Sequence, residues 1–161
     1  MKLDFDEKFM HEAIKLAKQG KFSTHPNPSV GSIVVKDGEV VGKGFHLKAG
    51  LKHAEINALE QAGNRSKGAT LYVTLEPCSF KGRTPACAKA IINAGIDRVV
   101  VGTIDPDPRN SGRGVEMLRD AGIKVLTNCL EVETSKLVKG HIKRFLFGRP
   151  YVRLKLAMSL D

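Results

Sequence analysis

Between residues 53 and 127 helical and strand-like stretches alternate, and a hairpin precedes them; this order constrains the fold more than any other feature. "HAEINALEQAG" reads as a helix, "ATLYVTLEP" as a strand and "TPACAKAIINAG" as a helix. "DRVVVGTID", "GRGVEMLRDAG" and "KVLT" then read as strand, helix and strand. Ahead of them, "VGSIVV" and "EVVGKGFH" are joined by Lys36, Asp37 and Gly38, and an Asp-Gly dipeptide between β-branched runs signals a hairpin. A hairpin followed by βαβα units predicts an α/β fold with a mixed sheet and helices on both faces.

The flanks extend this pattern. Phe9, Met10, Ala13, Ile14 and Ala17 recur at helical spacing, in a helix expected to begin near Asp4 with Glu7 as capping-box partner and to end at Gly20. "HPNPS" (25–29) is broken by proline and must be a loop. A last helix is expected over Val132 to Phe147, followed by one more strand, "RPYVRLKLAMSL". That strand either pairs onto the same sheet or opens a second domain.

A length of 161 residues suits one domain with a sizeable core. The charged, amphipathic N-terminus and the lack of an eighteen-residue apolar run argue against a signal peptide or membrane span, and point to the cytoplasm. In that reducing compartment clustered cysteines are read as metal ligands or catalytic groups before a disulfide. The net charge of +9 fits a phosphorylated small substrate or a solvated basic face as well as it fits nucleic acid. The basic residues are scattered apart from "KLVKGHIKRF", and no RNA-binding aromatic signature is present, so nucleic acid is disfavoured.

Three residues at element ends form a candidate metal set. In "RTPAC", Thr84 is expected as N-cap and Pro85 as the first helical residue, which places Cys87 in the first turn, where the helix dipole favours a thiolate. Cys78 leaves the strand "LYVTLEP", at the edge where such sheets bind ligands. His53 opens the preceding helix. One imidazole and two thiolates suit tetrahedral Zn²⁺ and leave the fourth position for water, the mark of a catalytic site. Glu55 stands beside the set as a proton carrier. His-x-Glu alone is near chance and Pro-Cys alone usually marks a buried thiol, but together they form the signature of zinc-dependent nucleobase deaminases. Cys129 has no partner motif and reads as a small buried hydrophobe.

The segments "HPNPSVG", "GKGFHLKAGLKHAE", "YVTLEPCSFKGRTPAC", "AGIDRVVVGTIDPDP" and "GRGVEMLRDAGIKV" resemble the N-terminal deaminase domain of the bifunctional riboflavin-biosynthesis deaminase/reductases. The resemblance implies a three-layer α/β/α cytidine-deaminase-like fold with about five strands, over residues 1–147. Residues 148–161 would then be the first strand of a truncated reductase domain whose own cofactor is NADPH. It further implies one Zn²⁺ per chain and hydrolytic removal of the 2-amino group of 2,5-diamino-6-ribosylamino-4(3H)-pyrimidinone 5′-phosphate. By position, Asn27 and His46 would hold the pyrimidine, while Arg83, Asp105 and Asp107, with Lys81 a weaker candidate, would lie near the ribose phosphate.

Structural roles compete for several of these residues. Asn27 and Asp105 also fit turns, and His46 a hairpin surface. Two positions depart from the family pattern: Phe80 replaces a usual His, and "DPDP" replaces "DPNP", which puts a carboxylate at Asp107 where it could repel a phosphate. The rival readings are a related deaminase acting on a free base, nucleoside or tRNA, and a zinc-stabilised interaction domain. Self-association into a homo-oligomer is left open.

Overall fold

The computed structural model describes residues 2–82 and 85–158. Helix α1 (Lys2–Gln19) is followed by the hairpin β1 (Gly31–Lys36) and β2 (Glu39–Phe45). Then come α2 (Ala54–Ala62), β3 (Thr70–Leu75), α3 (Cys87–Asn93), β4 (Arg98–Thr103), α4 (Arg113–Asp120) and β5 (Lys124–Leu126). Two short helices, α5 (Glu131–Leu137) and α6 (Lys139–Phe147), follow. The sheet order is β2-β1-β3-β4-β5, with β1 antiparallel to both neighbours and β3, β4 and β5 parallel. The hairpin turn is the expected one: Asp37 (φ 51°) and Gly38 (φ 82°) reverse the chain, and Lys36 pairs with Glu39.

Strand alternation divides the core into two layers. Val34, Leu71, Val73, Val99 and Val101 face one side, where Ala58, Ala62, Ala88, Ile91, Val115 and Leu118 of α2, α3 and α4 cover them. Ile33, Val35, Tyr72 and Val100 face the other and meet Phe9, Met10, Ala13 and Ile14 of α1, with Cys129 and Leu137. The helices therefore lie on both faces of a five-stranded mixed sheet, as the element order requires.

Three boundaries differ from expectation. Helix α1 is already under way at Lys2, so Asp4 lies inside it and not at its start. The single helix expected over 132–147 is two helices. Val138 leaves helical dihedrals (φ −116°, ψ 25°) and buries its side chain to 3% exposure, and the chain restarts as α6. The expected last strand forms no ladder over residues 151–158: Val152, Leu154, Leu156 and Met158 alternate as a strand would, yet stand 77–84% exposed.

Candidate metal and active site

The parallel strands β3 and β4 end at one edge of the sheet, and the helices after them begin there, so their connecting segments converge. His53 is the N-cap residue of α2, in extended conformation (φ −73°, ψ 164°), and Glu55 lies in the first turn of that helix, 3% exposed. Cys78 follows β3, and Cys87 is the first residue of α3. The ligand atoms of His53, Cys78 and Cys87 all lie within 4.8 Å of one another. His53 Nδ1 is 3.2 Å from Cys87 Sγ and 3.8 Å from Cys78 Sγ.

The start of α3 is shifted from the expected one. Its N-cap is Ala86, Pro85 precedes the helix, and Thr84 lies outside the described residues. Cys78 does the capping: its Sγ accepts the Cys87 N–H at 3.3 Å and its carbonyl accepts the Ala88 N–H at 3.1 Å. Cys87 is still in the first turn, but the thiolate expected there is not favoured by its own surroundings, because the hydrogen bond to Cys78 and burial outweigh the helix dipole.

Within the cluster the two thiols are driven apart in acidity. The Cys78 thiol is pulled well below its ordinary range, chiefly by hydrogen bonding from the Cys87 thiol and despite its burial. Cys87 is pushed strongly upward because it donates to Cys78 and is itself buried. One imidazole and two sulfurs whose ligand atoms lie within 4.8 Å of one another are a donor set that fits zinc, which would displace the shared thiol proton and hold both sulfurs as thiolates. Glu55 is pushed up to about 7 by burial, with His53 pulling the other way.

A cavity of about 400 Å³ opens over the cluster. His53, Glu55 and Cys78 line it together with Asn27, His46, Phe80, Asp105 and Asp107. His46 is 2% exposed, and both its ring nitrogens are engaged: Nδ1 donates to Lys52 O at 3.1 Å and Nε2 accepts from Asn27 Nδ2 at 3.0 Å. That pattern is the neutral ring, consistent with burial lowering its pKa. Its ring also stands edge-on to His53, 5.2 Å between centroids. His46 thus orients Asn27 and His53 and has no ring nitrogen left to offer a ligand.

Asp105 and Asp107 are both partnered. Asp105 meets His141 Nε2 at 2.8 Å, and Asp107 forms a two-pronged ion pair with Arg109. The carboxylate at 107 is therefore not a bare charge facing the cavity. Lys81 is exposed and does not line the cavity, and Arg83 lies outside the described residues.

Sequence reasoning missed Glu76, Arg109 and the cavity wall that α6 supplies through His141, Arg144 and Phe145. The signal for α6 was at most the basic stretch "KLVKGHIKRF"; for Arg109 it was its place two residues after Asp107.

Residues 3–103 match the family described as the cytidine and deoxycytidylate deaminase zinc-binding region. The chain belongs to this deaminase family. The riboflavin biosynthesis protein RibD of Escherichia coli (strain K12) is 54% identical over 97% of this chain, which spans 42% of that protein. The diaminohydroxyphosphoribosylamino-pyrimidine deaminase of Buchnera aphidicola subsp. Schizaphis graminum is 48% identical over 90% of this chain and is itself covered to 99%. In structure, Acinetobacter baumannii RibD (form 2) superposes with a TM-score of 0.95 at 51% identity, over all of this chain and 46% of the other. The deaminase fold is thus shared along the whole described chain, which spans less than half the length of the RibD relatives. Among the described residues of this deaminase, no helix is long and apolar enough to cross a membrane.

Proposed function

We propose that this chain removes ammonia hydrolytically from 2,5-diamino-6-ribosylamino-4(3H)-pyrimidinone 5′-phosphate, leaving 5-amino-6-(5-phosphoribosylamino)uracil, in riboflavin biosynthesis. The observation that carries the reading is the convergence of His53, Cys78 and Cys87 beside buried Glu55, at the wall of a cavity that His53, Cys78 and Glu55 line. The near-complete coverage of a relative bearing the name of that deaminase supports the substrate.

His53, Cys78 and Cys87 would hold the zinc. When bound, zinc supplies a Lewis acid that makes water nucleophilic near neutral pH. Glu55 accepts a proton from the attacking water and delivers it to the departing amine, so that one C–O bond forms and one C–N bond breaks for each water consumed. A carboxyl held near neutrality by burial suits both halves of that exchange. Asn27, fixed by His46, offers its amide oxygen to the ring of the substrate.

We further propose, from the resemblance of the sequence, that residues 148–161 lead into a reductase half using NADPH and, from the charged N-terminal segment, that the enzyme works in the cytoplasm. The exposed alternating face of Val152, Leu154, Leu156 and Met158 is the surface such a half would cover.

The test combines zinc analysis with an ammonia-release assay on wild type and Glu55→Gln. One zinc per chain in both proteins is expected, with activity in the variant lower by about 10²- to 10⁴-fold. Turnover by zinc-free protein, or turnover of tRNA, free guanine or cytosine in place of the phosphorylated pyrimidinone, would overturn the proposal.

A further inference from the structure

Phe80 and Asp107, which take no part in the metal cluster, meet on a single guanidinium at the cavity. Arg109 presents its Nε/Nη2 edge to Asp107, with Nε 3.0 and 3.1 Å from the two carboxylate oxygens and Nη2 2.5 Å from Oδ2. Its backbone N–H donates to the same carboxylate at 3.0 Å. The Phe80 ring covers the guanidinium face, 4.8 Å from centroid to Cζ. One edge and one face are therefore fixed from within the protein.

A guanidinium has a second edge. Nη1 forms no hydrogen bond among the described residues, and the Arg109 side chain is 68% exposed while lining the cavity that holds His53 and Glu55. The carboxylate behind it is 5% exposed, so its charge is spent on Arg109 and not directed at a ligand. An arginine oriented in this way has little rotamer freedom left to lose on binding.

We propose that Arg109 anchors the phosphoryl group of the substrate through its free edge, with Asp107 and Phe80 as positioning residues. The inference rests on the phosphoribosylated substrate assigned above, and it names the residue that would select it over the unphosphorylated riboside. Phosphate oxygens match the planar fork of Nη1 and Nη2. The two departures in sequence, Phe80 and Asp107, then form one device: an aromatic shelf and an anionic brace for the same cation.

The zinc-loaded chain tests this in two independent assays. In the first, steady-state deamination of the phosphorylated pyrimidinone is compared with that of its dephosphorylated riboside. Arg109→Gln is expected to raise KM for the phosphorylated substrate by roughly 10- to 100-fold with kcat little changed. The kcat/KM for the riboside should fall far less. Phe80→Leu should raise the same KM by a few fold, and Arg109→Lys, charged but lacking the fork, should recover only part of the loss. In the second assay, ribose 5-phosphate binding is followed by calorimetry and should be lost in Arg109→Gln.

An unchanged KM together with unchanged ribose 5-phosphate binding, in an Arg109→Gln protein that melts within a few degrees of wild type, sinks the anchor and leaves the deaminase reading standing. Arg109-dependent ribose 5-phosphate binding without turnover of either pyrimidinone would do the reverse. If Arg109→Gln does not fold, Arg109→Lys and Phe80→Leu decide: wild-type KM and ribose 5-phosphate binding in both overturn the anchor.

Discussion

Glu76 is a carboxylate in the protein interior, 4% exposed, whose charge is met by backbone. Oε2 accepts the N–H groups of Asp105 and Gly112, both at 3.0 Å, and Oε1 accepts those of Gly114 (2.9 Å) and Val115 (3.2 Å). Gly112, in the left-handed region at φ 94°, turns the first amides of α4 inward, so the carboxylate occupies the anion position of that helix. One side chain thus pins the end of β3, two residues before Cys78, to both the loop after β4 and the start of α4. Glu76→Gln would set an NH₂ group against two N–H donors. We expect it to cost about 2–4 kcal/mol, read from urea unfolding of the two proteins. Nothing near Glu76 in sequence announces this role, because its partners lie 29 to 39 residues away. His53, Cys78, Cys87 and Glu55 were legible for the opposite reason: each carries its chemistry in its residue type and its place at an element end.

Elements were readable where a local period fixes them and unreadable where a distant contact does. The strands β1 to β5 and the helices between them follow from β-branched runs and from 3.6-residue spacing. The start of α3 does not, because Cys78, nine residues earlier, caps its first amide. The break at Val138 falls at a buried residue two positions before Gly140, inside a stretch whose apolar spacing reads as one continuous helix. Helix α2 shows how packing between elements reaches the site. A Cβ built on Gly44 of β2 would stand 2.2 Å from Ala54 O and 2.6 Å from Ala58 N, so the strand touches the helix backbone directly. Ala54 lies between His53 and Glu55. Gly44→Ala should therefore push the N-terminus of α2 away from Cys78 and Cys87, with a loss of about 1–3 kcal/mol from overpacking. Zinc retention under chelator competition should drop along with the unfolding midpoint. A variant that loses stability but holds zinc as wild type does would show that α2 does not transmit the strain to His53.

The sheet joins two differently stabilised halves of the molecule, and this shapes its response to pH. On the face away from α2, α3 and α4, Asp6 of α1 accepts from Tyr72 Oη at 2.8 Å and from both arms of Arg98 at 2.8 and 2.6 Å, clamping α1 onto β3 and β4. Burial, and then the hydrogen bond to Asp6, raises the Tyr72 phenol above its ordinary range. At the cavity, Arg109 lowers the Asp107 carboxyl below its ordinary range, outweighing the effect of burial. A raised phenol contributes stability that is fully present below the unfolded value near 10 and is lost as pH rises through the folded one. A lowered carboxyl contributes stability present above the unfolded value near 3.9, lost as pH falls through the folded one. Each group therefore limits one end of the stable range, and the two ends can be separated by mutation. Relative to wild type, Tyr72→Phe should show a constant deficit of about 0.5–1.5 kcal/mol up to roughly pH 10 that narrows beyond it. Asp107→Asn should show a deficit that is flat above about pH 5 and closes below pH 4. Urea unfolding across a pH series measures both. An Asp107→Asn deficit that persisted unchanged into acid would mean that its pairing with Arg109 does not stabilise the fold, and that the guanidinium is held by Phe80 alone.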